Sequence, residues 1–476
     1  MQSENLENIV SQVGEILSPG ERRKDRSAVF LELTRSICPV CKKNLDAQIY
    51  IAENRIFMEK TCNVHGRFKA LLLSDAQWYL NSVKFNKPGS IPLQFNSKAR
   101  DGCPTDCGIC PNHQQHTCLG ILEVTQRCNL SCPQCFAASA KNGADLTLAE
   151  ATQRVDNLAR CEGRIEVLQI SGGEPTIHPQ LMDIIQMAKS RDVQSVMVNT
   201  NGIRLAHDPD LVARMAEIQP SKPSIYLQFD GFDDAFYEEF RGKALLDTKL
   251  KAIEDLSEYG FKIALVVTLI QGKNDDQIGK ICEFAIKHKH IRAVNFQPVF
   301  YEGRIASEFD PMNRLTLTDV FREAEEQTDD LLRKSDFIPV PCPFPSCSGL
   351  TYVYHENGET TPITRLIDVE DYLDFIKNRT MLHLSEDVFG ALKSLFSFSV
   401  EGGSLAMVES FCTACGITLP RIDTIAERIT MIGAMSFMDR YTFDWKRAMK
   451  CCIHELAAKD RIIPFCVYNN LYRKGT

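Results

Sequence analysis

The region between residues 119 and 305 alternates between two hydrophobic periods. Near-continuous apolar runs have the composition of buried parallel strands, and the segments between them place apolar residues on one helical face. In segment 181–189, for example, Leu181, Ile184 and Ala188 share that face. Six such units predict strands at 121–125, 165–170, 195–199, 224–229, 262–269 and 293–297.

The predicted strands end in polar or glycine-bearing residues, which indicates where a ligand would bind. Parallel strands joined by helices place all their carboxyl ends at the same edge of the sheet. The predicted fold class is therefore α/β, with a partial (β/α)6 TIM-like barrel and a ligand site at that edge. A doubly wound sheet is the alternative architecture, but no Gly-x-Gly-x-x-Gly motif and no Walker lysine follows any predicted strand.

The regions that flank this core have a different character. We predict a polar leader, a metal-binding ribbon, a short cysteine segment, the core and a C-terminal cysteine-rich α+β domain, at 1–27, 28–100, 101–118, 119–305 and 306–476. Near the C-terminus, Ile422, Ile425, Ile429, Ile432 and Met435 have the spacing of a helical stripe that Gly433 interrupts.

Composition and charge narrow the class of protein. Acidic residues exceed basic ones, 62 to 54, so the formal net charge is −8 and argues against nucleic acid as a partner. Met1 to Arg26 lacks the pattern of a secretory signal, and no apolar run approaches the roughly 20 residues that span a bilayer. We therefore expect a cytoplasmic protein whose membrane contact is at most peripheral.

The chain has 19 cysteines, and all but Cys161 and Cys282 fall into four groups. We expect these two to be small core residues. In a reducing compartment, closely spaced cysteines are typical of metal or cluster ligands rather than of disulfides. The first group pairs Cys38-x2-Cys41 with Cys62-x2-His65, which predicts one tetrahedral zinc or mononuclear iron.

The next two groups predict iron–sulfur clusters of different kinds. The second group supplies four thiols, enough to cap every iron of one auxiliary [4Fe–4S] cluster: Cys103, Cys107, Cys110 and Cys118. Zinc is one alternative, and His113 or His116 in place of one thiol is another. The third group supplies only three nearby thiols, at x3 and x2 spacing: Cys128, Cys132 and Cys135. Three ligands on a four-iron cluster leave one iron open to a ligand.

The fourth group has seven thiols, which is more than one cluster needs: Cys342, Cys347, Cys412, Cys415, Cys451, Cys452 and Cys466. At least one further auxiliary cluster is expected here, which makes one or two auxiliary [4Fe–4S] clusters in the chain. We favour Cys342, Cys347, one of Cys451 and Cys452, and Cys466 as its ligands. Several buried free thiols are the alternative.

Residues 119–305 resemble the core of radical S-adenosylmethionine enzymes. The resemblance rests on the Cys-x3-Cys-x2-Cys motif after the first strand and on Gly172-Gly173-Glu174-Pro175 after the second. It implies that the open iron chelates the amino and carboxylate groups of S-adenosylmethionine, that Glu174 receives the amino group, and that one electron yields a 5′-deoxyadenosyl radical. From strand-end position we expect further cofactor contacts, or else helix caps, from Asn201, Gln228, Asp230, Thr268 and Gln297.

The order of the cysteine groups over nearly the whole chain resembles the tetraether lipid synthases and the related class D radical methylases. It implies a small electron donor such as a flavodoxin or ferredoxin, and an organic or lipid substrate. Our first hypothesis is carbon–carbon bond formation at an unactivated alkyl carbon, with a lipid as one candidate substrate. The alternatives are a radical methylase of a pterin-like heterocycle and a non-catalytic iron–sulfur electron carrier with a zinc ribbon.

Overall fold

The computed structural model describes residues 27–305, 309–356, 358–365 and 428–473. The predicted leader lies almost wholly outside these residues. Cys412, Cys415, Ile422 and Ile425 also lie outside the described residues.

The N-terminal ribbon is a four-stranded antiparallel sheet in the order β1 to β4, formed by Val29–Ile37, Asn44–Ala52, Arg55–Cys62 and Gly66–Leu73. Register pairs Ile37 with Asn44 and Cys62 with Gly66, so the β1–β2 and β3–β4 turns lie at the same end of the sheet. Both turns carry side chains of the kinds that bind metal ions. Helix α1 follows at Ala76–Ser82, and its first amides are capped by the Asp75 carboxylate.

The core is a run of six parallel strands, β5 to β10, paired in chain order. They are Leu119–Thr125, Ile165–Gly172, Val193–Thr200, Ser224–Gln228, Ile263–Leu269 and Ile291–Pro298. The connecting helices α2 to α8 are Leu148–Glu162, Leu181–Lys189, Ile203–His207, Pro209–Ala216, Asp234–Arg241, Leu246–Glu258 and Ile278–Lys287. All six predicted β/α units are present, and Cys161 and Cys282 are fully buried on their helices, as expected.

The C-terminal part of the chain extends this sheet at both edges. The strands β11 to β16 are Ile338–Pro339, Ser348–Glu356, Glu359–Pro362, Ile429–Met435, Ile453–Leu456 and Ile462–Pro464. On one side β14 runs parallel to β10, with β12 antiparallel to β14, and on the other side β15 runs parallel to β5. Helices α9 to α11 are Leu317–Gln327, Trp445–Met449 and Phe465–Val467, the last followed by a π-helical turn, Tyr468–Tyr472.

The helical stripe predicted near the C-terminus is wrong where the structure describes it. Ile429, Ile432 and Met435 belong to strand β14. A Cβ atom on Gly433 would lie 2.9 Å from that of Leu350 on β12, so glycine allows the two strands to pack closely. A short apolar run fits both hydrophobic periods, which is why its spacing was misleading. Among the described residues, no helix is both long and apolar enough to cross a bilayer.

Candidate active site and metal centres

The loop after β5 holds Cys128, Cys132 and Cys135 in place through long-range backbone contacts. The amide of Cys128 donates to the carbonyl of Ala140 at 2.8 Å, and Cys135 and Arg304 exchange two backbone hydrogen bonds of 2.9 Å each. The guanidinium of Arg304 also donates to the carbonyl of Cys132 at 2.6 Å. Arg304 therefore fixes the loop from beyond β10, a role that the sequence analysis missed.

All three thiols of this loop border one cavity. Burial raises the pKa of Cys128 to about 12 and also raises the pKa of Cys132. A thiolate at such a site needs a nearby cation to compensate for its lost hydration, and cluster iron supplies one. The three-thiol donor set thus fits a four-iron cluster with one open iron.

The Gly172-Gly173 pair lies directly against the chain that leads to Cys128. A Cβ atom at Gly172 would lie 2.2 Å from the carbonyl oxygen of Thr125, and one at Gly173 would lie 2.1 Å from that of Arg127. The Gly173 amide donates to Thr125 at 2.8 Å. Only glycine therefore fits at either position. Gly172 also has a φ of +130°, a backbone conformation that favours glycine. The segment is therefore a backbone surface beside the cysteine loop.

Glu174 is almost fully buried and holds the neighbouring strand ends together. One carboxylate oxygen accepts from the amide and hydroxyl of Thr176, at 3.0 and 2.6 Å, and from the hydroxyl of Thr200 at 2.7 Å. The other oxygen accepts from the amide of Asn201 at 2.7 Å. The carboxylate borders the cavity, as its expected role toward an amino group requires, and four internal hydrogen bonds fix its position.

The other strand-end residues divide into two sets. Four of them line the cavity, at the positions expected for cofactor contacts: Asn201, Gln228, Thr268 and Gln297. Asp230 lies behind the cavity wall, fully buried, and its carboxylate accepts hydrogen bonds from Arg241 at 2.7 and 2.9 Å and from the amide of Thr268 at 3.0 Å. Because its negative charge is paired with Arg241, Asp230 positions the cavity wall and does not face a ligand.

The cavity has a volume of about 310 Å³ and is lined by residues from all six core strands and from β14 and β15. Its interior carries hydrogen-bonding groups that the sequence analysis did not single out. The Tyr226 hydroxyl accepts from Asn295 at 2.6 Å and from Gln297 at 3.1 Å. Glu123 on β5 and Glu455 on β15 also line it. Alternation along each strand points these side chains inward.

One wall of the cavity is aromatic, and we call it the phenylalanine wall: Phe136, Phe300, Phe437 and Phe465. Adjacent rings lie close together, with centroids 5.3 Å apart for Phe136 and Phe300 and 4.6 Å apart for Phe437 and Phe465. Flat rings at this spacing are a surface for another flat ring.

The ribbon places Cys38, Cys41, Cys62 and His65 together, as predicted. The Nδ1 atom of His65 lies 3.6 Å from the Cys38 sulfur and 3.5 Å from the Cys62 sulfur, and the sulfurs of Cys41 and Cys62 are 4.0 Å apart. All four donor atoms lie within 4.8 Å of one another. This is the donor set of a closed tetrahedral site, which zinc prefers.

Comparisons with known proteins agree with this geometry. Residues 122–285 match the family model of the radical SAM superfamily, and residues 30–74 match that of the HMPTM N-terminal zinc ribbon domain. The 7,8-dihydro-6-hydroxymethylpterin dimethyltransferase of Methanocaldococcus jannaschii is 35% identical over 478 residues, which cover 93% of this chain and 94% of the relative. The chain belongs to the radical SAM superfamily.

Other similar proteins cover less of this radical SAM enzyme. Mycofactocin maturase MftC of Mycolicibacterium smegmatis is 28% identical over 233 residues, which cover 48% of this chain and 55% of the relative. The crystal structure of Streptococcus suis SuiB bound to S-adenosylmethionine covers 46% of this chain and 48% of that chain, with 18% identity and a TM-score of 0.37.

Superfamily membership confirms several predictions. The protein is an enzyme, not an electron carrier, and it uses a [4Fe–4S] cluster with S-adenosylmethionine. The zinc-ribbon match and the cysteine clusters support auxiliary metal sites.

A second ligand cluster of the enzyme differs from the prediction. Cys118 does not join Cys103, Cys107 and Cys110; its sulfur lies 2.7 Å from that of Cys342. The sulfurs of Cys118, Cys342 and Cys452 all lie within 4.8 Å of one another. His116 lies beside them, with Nε2 3.6 Å from the Cys118 sulfur. This arrangement corrects the predicted four-thiol second group.

The favoured ligand set for the fourth group is also divided. Cys342 and Cys452 belong to the Cys118 cluster, whereas Cys347, Cys451 and Cys466 lie outside it. Burial, together with the nearby thiols of Cys466 and Cys452, raises the pKa of Cys451. The guanidinium of Arg447 lies 3.3 Å from the Cys347 sulfur.

Cys103 and Cys107 remain neighbours in the second group, and burial raises the pKa of each thiol. The Asp106 carboxylate holds their loop by accepting from the amides of Arg100 at 2.6 Å and Gly102 at 3.1 Å. Eleven described cysteines lie outside the active-site loop and the ribbon. Cys161 and Cys282 are buried on core helices, and the other nine are the Cys118 cluster, the remaining three of the second group and the remaining three of the fourth group.

Proposed function

We propose that this enzyme adds a methyl group to a carbon of a reduced pterin. The observation that carries the proposal is the 35% identity, across nearly the full length of both chains, with the dimethyltransferase whose name gives 7,8-dihydro-6-hydroxymethylpterin as its substrate. This match supports the heterocycle alternative of the sequence analysis better than the lipid hypothesis that it put first.

The lining of the cavity also favours a heterocycle. Gln169, Tyr226, Asn295 and Glu455 place polar groups inside it. A lipid tail offers no hydrogen bond to these groups, and the buried Oε1 atom of Glu455, which has no partner among the described residues, would stay unpaired at a cost of about 1–3 kcal/mol. A pterin carries several ring nitrogens, an amino group and an oxo group that can pair with them, while its flat faces suit the phenylalanine wall.

The described residues fit the cofactor through the three thiols, the glycine surface and the polar strand ends. When bound, the cluster and S-adenosylmethionine supply the electron and the radical that abstracts hydrogen from an unactivated carbon. The protein holds the cluster loop with Arg304, fixes the strand ends with Glu174 and encloses the substrate among eight strands. This enclosure excludes water and stray hydrogen donors from the reacting carbon.

The net reaction replaces one C–H hydrogen of the substrate by a methyl group. The hydrogen leaves on 5′-deoxyadenosine, a second S-adenosylmethionine gives the methyl group and leaves as S-adenosylhomocysteine, and the reductant supplies two electrons. To test it, the cluster-loaded enzyme is incubated without oxygen with a reductant, 7,8-dihydro-6-hydroxymethylpterin and S-adenosylmethionine that carries an isotopic label in its methyl group. A parallel reaction contains in addition a reduced folate-type one-carbon carrier. Mass spectrometry should detect a methylated pterin, and the label identifies the methyl donor. No methylated pterin in either reaction contradicts the proposal.

We further propose that a flavodoxin or ferredoxin supplies the electron. A purified flavodoxin with its reductase should then replace the chemical reductant in the same assay. A flavodoxin and a ferredoxin that both fail, while the chemical reductant succeeds, contradict this part of the proposal.

A further inference from the structure

Glu455 is a buried carboxyl group that the chemistry described so far does not use. It lies on β15 and lines the cavity, yet its side chain is only 2% exposed. Its Oε1 atom is buried and has no hydrogen-bond partner among the described residues. An unpaired carboxyl oxygen in a buried place destabilises the folded protein. A ligand that donates a hydrogen bond to this oxygen removes that destabilisation.

The neighbouring charged groups are already engaged with other partners. Glu123 forms an ion pair with Arg473, with N–O distances of 2.6 and 3.1 Å. Arg154 donates to the backbone carbonyl of Leu456 at 2.8 Å. Glu455 is thus left as an acceptor at the cavity surface beside a second carboxylate that already has its cation.

The phenylalanine wall lines the same cavity as this carboxyl group. Glu455 pairs in register with Ile463 of β16, and Phe465 begins helix α11 directly after that strand. Phe465 packs edge-to-face against Phe136, with ring centroids 5.6 Å apart. A carboxyl group at the edge of an aromatic surface can hydrogen-bond the rim of a flat heterocycle while the rings hold its faces.

We propose that Glu455 is the residue that selects a pterin, by pairing its carboxyl group with the 2-amino and N3–H donors of the ring. This inference rests on the proposed function. Two adjacent N–H donors match the two oxygens of an ionised carboxyl group, as in the pairing of a guanidinium with a carboxylate. Burial raises the pKa of Glu455 in the free enzyme, and the two N–H donors of the ring favour its charged form. In this arrangement one face of the ring lies against the phenylalanine wall.

The first test uses the unaltered, cluster-loaded enzyme and two ligands that differ at one position. These are 7,8-dihydro-6-hydroxymethylpterin and its lumazine analogue, in which an oxo group replaces the 2-amino group. Anaerobic calorimetry with S-adenosylmethionine present should give roughly 100-fold weaker binding of the lumazine, because an acceptor then faces an acceptor. Equal affinities for the two ligands overturn the inference.

The second test replaces the carboxyl group by its amide. Glu455→Gln should bind the pterin roughly 10–100-fold more weakly and prefer the lumazine, because the amide accepts from N3–H and donates to the 2-oxo group. Glu239→Gln is the matched control, since it makes the same change in an exposed ion pair with Lys273 that does not line the cavity. It should leave both affinities unchanged and the pterin preferred.

The outcomes separate the inference from the proposed function. An unaltered enzyme that methylates the pterin, together with a Glu455→Gln variant that keeps the pterin preference, overturns the role of Glu455 alone. An unaltered enzyme that binds neither ligand and methylates neither overturns both. Because the ligand comparison needs no variant, a Glu455→Gln protein that does not fold leaves that test decisive.

Discussion

Replacing Asp230 by asparagine should destabilise the enzyme more than any single change at an exposed ion pair. The Asp230 carboxylate is fully buried and accepts two hydrogen bonds from Arg241, whose side chain is only 12% exposed. Asparagine removes the negative charge and leaves the guanidinium buried without compensation. Breaking a buried pair in this way costs about 3–5 kcal/mol.

The measurement is urea unfolding of the cluster-loaded enzyme without oxygen. Asp230→Asn should lower the midpoint of the unfolding transition and leave its slope unchanged. Glu239→Gln is the control, because its ion pair with Lys273 is about half exposed and contributes less than about 1 kcal/mol. Adding Arg241→Met to Asp230→Asn should restore part of the loss, since no uncompensated charge remains.

The reasoning is refuted if Asp230→Asn and Glu239→Gln shift the midpoint equally. It is also refuted if the double variant is less stable than Asp230→Asn by the full cost of a second independent substitution. Either result would mean that the Asp230–Arg241 pair does not support the cavity wall.

Three further predictions concern the cofactor and the metals. Gly173→Ala should abolish cleavage of S-adenosylmethionine, measured as 5′-deoxyadenosine, because its Cβ would overlap the carbonyl oxygen of Arg127; cleavage at the normal rate would show that the loop can move aside. Cys132→Ala should also abolish cleavage while elemental analysis still finds the ribbon metal, and loss of both would indicate a folding defect. Cys118→Ala and Cys342→Ala should lose the same metal content, and different losses would place the two thiols in separate sites.

The parts of the site that the sequence predicted are local ones. The cysteine loop, the glycine pair and the ribbon ligands each lie within short segments or paired hairpins, where spacing determines geometry. Cys118 meets Cys342 across 224 positions, and Arg304 reaches Cys132 across 172. No periodicity reports such contacts, because they depend on the order of strands in the sheet. Glu455 was missed for the same reason.

The fold shows the same division. The six β/α units repeat a strong pattern that local hydrophobicity determines, and they were predicted correctly. Strand β14 was predicted as helix because only its neighbours β10 and β12 decide between the two periods. Which sheet edge a C-terminal strand occupies is likewise a property of the assembled core.

The position of β14 and β15 at opposite edges of the core has a consequence for biosynthesis. Residues 428–473 provide both strands, so a nascent chain that has emerged only as far as β10 has two unprotected edges. Such edges can pair with other chains and aggregate. Glu455 also reaches the cavity only when β15 is present. We therefore expect the enzyme to acquire its substrate-binding surface only after residues 428–473 have been synthesised, and to depend on chaperones until then.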